Sequence, residues 1–174
     1  MPISFETSRL RLEPLTVDYG HRLGVLYRDP EVAKFLGGTR LTAEVAAQQA
    51  ARFDSIWRER GLGQSAIHER ATGSFIGRVG LHPWDEWDEL ELGWVIATPH
   101  QRQGMATEAA SAWLDWARTN RPAEHLIAVI HPDNRASIRT AEKLGFIYDR
   151  DDKTSWSDAV VYRLDLPRRP MFTG

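Results

Sequence analysis

The chain has 174 residues, 42% hydrophobic and 26% charged, with a formal net charge of −2, which suits one globular domain with a full core. So small a charge gives no electrostatic reason to expect nucleic acid or an anionic membrane as partner, and the lack of cysteine excludes disulfides, thiolate catalysis and cysteine-based metal sites. Neither a basic-then-apolar leader nor an apolar run of spanning length is present, so a cytoplasmic protein is expected.

Leu10, Leu12 and Leu15 interleave with Arg11 and Glu13, a half-buried strand pattern that ends at Pro14. Thr16 is placed to cap a first helix carrying Tyr19, Leu23, Leu26 and Tyr27 on one stripe, stopped by Asp29-Pro30. A short helical stretch over 31–36 runs into Gly37-Gly38. Thr42 then caps a longer helix with Ala46, Ala50, Phe53 and Trp57 at helical spacing, as far as Gly61. Residues 64–69 and 74–81 alternate as two strands around a turn at 70–73, and 82–88 reads as a loop rich in aromatics and acids. In the next strand Leu90, Leu92, Trp94 and Ile96 share one face, with Glu89, Glu91, Gly93 and Val95 on the other.

The following helix, reaching about Arg118, has an apolar stripe of Ala106, Ala109, Ala110, Trp113, Leu114 and Ala117. A buried-type strand spans 125–130. Asn134 is positioned to cap a fourth helix, which ends at Gly145. A final hairpin is expected from 146–149 and 160–166, then a loose tail over 167–174. There are no repeats and no linker, so residues 1–174 read as a single domain with its core at about 8–166. The element pattern indicates an α+β or α/β layered fold.

The most informative stretch is Gln101-Arg102-Gln103-Gly104-Met105-Ala106-Thr107, between the strand ending at Ile96 and the helix after it. A strand, a loop with one glycine and a helix start make an anion site, because loop N–H groups and the helix dipole converge there. Gly104 admits close backbone approach; Arg102 is either a fork of donors for phosphate or a solvated surface charge. The expected ligand is a pyrophosphate, although neither the P-loop nor the dinucleotide glycine pattern occurs.

The local pattern Q-x-x-G-x-A resembles the acetyl-CoA motif [QR]-x-x-G-x-[GA] of the GNAT superfamily of N-acetyltransferases. The resemblance extends upstream to Glu91-Leu92-Gly93-Trp94 and Thr7-Ser8-Arg9-Leu10-Arg11-Leu12. Downstream it includes Pro132-Asp133-Asn134-Arg135-Ala136-Ser137 and Leu144-Gly145-Phe146. Together these look like the Rim-type branch, the ribosomal-protein N-terminal acetyltransferases and their relatives, over about residues 8–166.

The resemblance implies a single GNAT-like domain with a central mixed, mostly antiparallel, splayed sheet flanked by helices. It implies acetyl-CoA as co-substrate, the pantetheine arm bonding the open backbone edge at Trp94, Val95 and Ile96. The pyrophosphate would lie on Gln101, Arg102, Gln103, Gly104, Met105, Ala106 and Thr107. Asn134 would contact the pantetheine arm besides capping its helix. The Rim-type pattern N-x-x-S places the Ser137 hydroxyl near the CoA sulfur. Ala141 stands where other branches carry a tyrosine acid, so that version is excluded.

Glu91 has two readings: a carboxylate that accepts the amine proton, or a structural hydrogen-bond acceptor at a strand bulge. His82 is a second base candidate. Trp84 and Trp87 either line the acceptor pocket or cover core, and Asp85, Glu86, Asp88 and Glu89 form a solvated acidic loop able to attract a cationic amine. The six histidines lack metal-ligand spacing, and no metal is expected.

The expected activity is acetyl-CoA-dependent transfer of an acetyl group to a primary amine, either a protein N-terminal α-amine or a small amine. The alternative is a non-catalytic acyl-CoA-binding sensor or scaffold. Seven tryptophans leave room for a dimer interface, so monomer and homodimer both stand.

Overall fold

The strand pattern around Leu10 and Leu12 is realised: both leucines are fully buried and Arg11 is exposed. The computed structural model describes residues 3–120 and 122–167. Among these, one sheet contains β1 (Phe5–Glu6), β2 (Leu10–Pro14), β3 (Gln64–Glu69), β4 (Phe75–Trp84), β5 (Glu89–Ile96), β6 (His125–Ile130), β7 (Ile147–Lys153) and β8 (Asp158–Asp165). Their spatial order is β1-β2-β3-β4-β5-β6-β8-β7. Neighbours are antiparallel except β5 and β6, which run parallel.

Helices α1 (Gly20–Tyr27), α2 (Pro30–Ala33), α3 (Ala43–Arg60), α4 (Met105–Asn120) and α5 (Arg135–Lys143) flank the sheet, giving an α+β fold. The alternation along β5 divides the core in two. Val95 packs with Leu23 and Leu26 of α1 and with Ala46 and Phe53 of α3. Leu92 and Ile96 point the other way and pack with Ala109, Ala110, Trp113 and Leu114 of α4. Thr42 caps α3 as expected, its Oγ1 accepting from the Val45 N–H at 3.2 Å.

Several expectations are corrected. Thr16 caps nothing with its side chain; a short 3₁₀ turn, Val17–Tyr19, precedes α1, and the Thr16 carbonyl accepts from the Tyr19 N–H. The helical stretch expected over 31–36 ends at Ala33. The loop expected over 82–88 is shorter, because β4 continues through His82, Pro83 and Trp84 opposite Glu91, Leu90 and Glu89. Proline is tolerated there because the Leu81 N–H bonds Gly63 at the start of β3. By alternation the missing Pro83 N–H faces the same side, past the end of β3.

β1 was not foreseen, and β7 and β8 outrun the predicted hairpin strands. Beyond Pro167 the expected tail lies outside the described residues. No helix among those residues is long and apolar enough to cross a membrane.

Candidate active site

β5 leaves its parallel neighbour almost at once. β4 and β5 keep an unbroken register from Gly77↔Ile96 to Trp84↔Glu89, while β5 and β6 pair only at Glu91↔Ile127. The bulge expected at Glu91 is therefore absent, and the splay arises from divergence of β5 and β6. The Ala97 N–H bonds the Ile76 carbonyl at 2.8 Å, so alternate residues, Trp94 and Ile96, turn their backbone groups toward the splay. The Ile96 carbonyl is taken by Gln101 Nε2 at 2.8 Å.

Past this edge, the 101–104 loop leads into α4. Gly104 has φ +76°, and a Cβ there would meet only Arg9 Nη2, at 3.5 Å. Its glycine is thus required by backbone conformation rather than by crowding. Arg102 adopts φ +60°, an unfavourable region for a residue with a Cβ. The loop borders a cleft of about 580 Å³ lined by Trp94, Val95, Ile96, Met105, Ala106 and Thr107. Lys34, Arg102, Arg135, Arg139 and Lys143 also line it, against only Glu31 and Asp133, so the cleft is cationic. The first-turn N–H groups of α4 have no intrahelical acceptors and add to this field.

The sequence reading missed how the loop is held. Glu108, in the first turn of α4, accepts from Thr7 Oγ1 at 2.6 Å, Ser8 Oγ at 3.2 Å, the Arg9 N–H at 2.9 Å and Arg9 Nε at 2.6 Å. Arg9 Nη1 then donates to the Gln103 carbonyl at 2.8 Å. Burial would raise the Glu108 pKa, but the Thr7 and Arg9 donors outweigh it and hold the carboxyl below its usual range. Gln103 does not line the cleft as expected; its Nε2 folds back onto the Pro99 carbonyl at 3.0 Å.

A second cleft, about 510 Å³, opens on the α1–α3 face of the sheet. The two share Phe35, Leu36, Trp94, Val95, Asn134 and Ser137 in their walls, so they are continuous through the splay. Asn134 Oδ1 accepts from the Ser137 N–H at 3.2 Å as the α5 cap, which sets Ser137 at the junction. Ala141, one turn on, is fully buried in the core.

Glu91 lies in the wall of this second cleft, on the face predicted for it. Its Oε2 accepts from Trp84 Nε1 at 2.6 Å. Burial pushes its carboxyl above the usual range, against the Trp84 donor, the Arg78 charge and the Val129 N–H, which favour the anion. Gly93 makes room for it, since a Cβ there would stand 3.2 Å from Glu91 Oε1.

His82, opposite Glu91, has a buried Nδ1 with no hydrogen-bond partner. Burial, together with Arg52, Arg78 and Arg60, lowers its pKa to about 4, partly offset by Asp85. It is neutral at pH 7, and the lowered pKa makes it a weak proton acceptor.

Trp84 lines the cleft, but Trp87 does not. Trp87 stacks behind Trp84 with centroids 4.6 Å apart, and Arg150 lies over its ring at 5.2 Å. Glu89 is not part of a solvated acidic loop. It is ion-paired to Arg150 at 2.6 Å and His125 at 3.1 Å, and its pKa is lowered despite burial. Trp156, from the β7–β8 turn, has its ring 6.3 Å from that of Trp84 and also lines the cleft, a contact no local pattern signals.

Comparison with known proteins agrees with this geometry. Residues 9–147 match the family described as Acetyltransferase (GNAT) domain. The uncharacterized protein YkkB of Bacillus subtilis (strain 168) is 32% identical over 163 residues, spanning 89% of this chain and 91% of its own length. An acetyltransferase from Agrobacterium tumefaciens str. C58 superposes with a TM-score of 0.83 at 28% identity, covering 94% of this chain and 95% of that one. RimL, a ribosomal L7/L12 alpha-N-protein acetyltransferase in complex with coenzyme A, has a TM-score of 0.78 over 94% of this chain and 98% of its own. At 13% identity the RimL likeness is one of fold.

Proposed function

The chain belongs to the GNAT acetyltransferase family, and from that premise we propose that it moves the acetyl group of acetyl-CoA directly to a primary amine. The observation that carries this reading is the continuity of the cationic cleft with the Glu91 cleft at Trp94 and Ser137. The cations Arg102, Arg135, Arg139 and Lys143 suit the phosphates of the co-substrate, and the turned-out backbone of Trp94 suits the amide groups of its arm. The coenzyme A bound by RimL supports the same ligand class here.

In this reading Glu91 takes the proton that the attacking amine sheds, directly or through a water. The new C–N bond forms as the C–S bond breaks, and the electron pair leaves on sulfur. Ser137 donates a hydrogen bond to the departing thiolate, which finally takes up one proton. The balance is one acetyl group and one proton exchanged between nitrogen and sulfur. Trp84 positions Glu91, and Gly93 leaves space for its carboxylate.

An α-amine with a pKa of ~7.7–8.0 is already partly neutral at pH 7, whereas a lysine amine near ~10.4 starts about 4.6 kcal/mol uphill. A single carboxylate, with Ala141 in place of a tyrosine acid, favours the low-pKa amine. A protein N-terminus or a small α-amino compound is therefore the acceptor class proposed.

The test is an amine and peptide panel, read by thiol release from acetyl-CoA. Release with an α-amine supports the reading. Tight acetyl-CoA binding without release on any amine would replace it with a sensor or scaffold role.

A further inference from the structure

The register between β4 and β5 sets two opposite charges on one face of the acceptor cleft. Arg78 pairs with Val95 and His82 pairs with Glu91, so of the three pairs between them only Gly80↔Gly93 shares their face. Residues four apart along a strand stand about 13 Å apart at Cα. The Glu91 carboxylate leans over Gly93 and shortens that span from its end. The floor between the two charged residues is bare backbone.

Arg78 is held firmly, but only by neutral groups. Its Nε donates to Tyr27 Oη at 2.9 Å, its Nη1 donates to Gln64 Oε1 at 3.0 Å, and its guanidinium lies 5.3 Å over the Phe53 ring. The partners are fixed in turn, Tyr27 Oη donating to Gln49 Oε1 at 2.7 Å and Gln64 Nε2 to the Gly80 carbonyl at 2.8 Å. Among the described residues Arg78 makes no ion pair, and its Nη2 has no hydrogen-bond acceptor. Arg52, a second cation lining the cleft, makes no ion pair among these residues either.

A partly buried guanidinium with two fixed neutral acceptors and an open edge is organised for a carboxylate. Its charge favours the Glu91 anion but makes no ion pair with it, in a cleft walled by aromatics.

Resting on the acetyltransferase reading above, we infer that the acceptor is a small amine bearing a carboxylate, received by Arg78 with Arg52 as the outer cation. The amine end faces Glu91 and the carboxylate end faces Arg78, so each charge of a zwitterion has an opposite charge in the cleft. This narrows the acceptor to amines that carry a carboxylate; that carboxylate raises the ammonium pKa above that of a peptide N-terminus, so such an acceptor leans more on Glu91 as base.

The test compares free α-amino acids with their α-carboxamides and their decarboxylated amines, by thiol release from acetyl-CoA. kcat/KM is followed over pH, so that differences in the fraction of neutral amine are removed. At least one acid should exceed its amide by about 10- to 100-fold, the worth of a charge-assisted hydrogen-bond pair. In Arg78→Met that ratio should collapse through loss on the acid, and Arg78→Lys should retain part of it.

Equal turnover of acids and amides by the wild-type protein would overturn the inference while leaving the acetyltransferase reading intact, as would an unchanged ratio in folded Arg78→Met. Should Arg78→Met fail to fold by circular dichroism, the wild-type ratio and its reduction in Arg52→Met decide the matter. Acetyl-CoA binding with no amine acetylated would instead remove the acetyltransferase reading, and this inference with it.

Discussion

Trp84 Nε1 donates to Glu91 Oε2 at 2.6 Å, between neighbouring strands β4 and β5 and in the wall of the second cleft. This bond favours the carboxylate against the burial that raises its pKa. Trp84→Phe removes the donor and keeps an aromatic ring in the wall. The Glu91 pKa should then rise further, because the anion loses a hydrogen bond. The acidic limb of the kcat/KM profile should move to higher pH, with the rate on the alkaline side less affected. An acidic limb that stays in place would show that Trp84 does not tune the base.

Gly104→Val tests the loop proposed to receive the phosphates. The φ of +76° places a β-branched residue in a region it rarely adopts, although a Cβ would meet only Arg9 Nη2 at 3.5 Å. The loop should rearrange while the core remains folded. Acetyl-CoA affinity, measured by calorimetry, should fall by at least ~10-fold. Unchanged affinity in a folded variant would remove the loop from the site.

Glu108→Ala tests the latch between the N-terminal segment and that loop. The carboxylate gathers Thr7, Ser8 and Arg9, and the loss should cost about 1–2 kcal/mol of stability at pH 7. Its pKa is depressed in the fold, so this contribution is present above the unfolded-state pKa and is lost as pH falls through the folded one. The Tm difference between wild type and variant should therefore shrink on acidification. A difference independent of pH would show that the carboxylate charge plays no part.

Ser137→Ala removes a hydroxyl at the junction of the two clefts. A thiol with a pKa near ~8.5 needs only modest help in leaving, so kcat should fall by about 10- to 100-fold with acetyl-CoA binding nearly unchanged. Full kcat, with chemistry rate-limiting, would return Ser137 to an ordinary place in the first turn of α5.

Much of the fold was legible because local rules coincide with it. The stripes Leu23 and Leu26, Ala46 and Phe53, and Ala109 and Trp113 are all buried, and Thr42 and Asn134 cap their helices. The Q-x-x-G-x-A motif marked a loop whose glycine does take a positive φ.

What failed depends on partners distant in sequence. Pro83 reads as a loop residue unless the end of β3 beside it is known. The polar stretch of β7 shows no alternation, and is a strand because β8 pairs with it. The Arg9–Glu108 ion pair spans 99 positions, and Trp156 meets Trp84 from the far hairpin. The charge on Arg78 looked like any strand arginine until its neutral neighbours were seen.

The central claim is that Glu91 accepts the proton of a low-pKa amine. The most direct measurement is the pH dependence of kcat/KM for wild type and Glu91→Gln, each on an α-amine and on a lysine-type amine. Wild type should turn over the α-amine faster and lose activity as pH falls through the raised Glu91 pKa. Glu91→Gln should be slowest relative to wild type between that pKa and the pKa of the amine, and should recover in part as rising pH deprotonates the amine without help. Faster turnover of the lysine-type amine, or a Glu91→Gln profile that overlays wild type, would contradict the account.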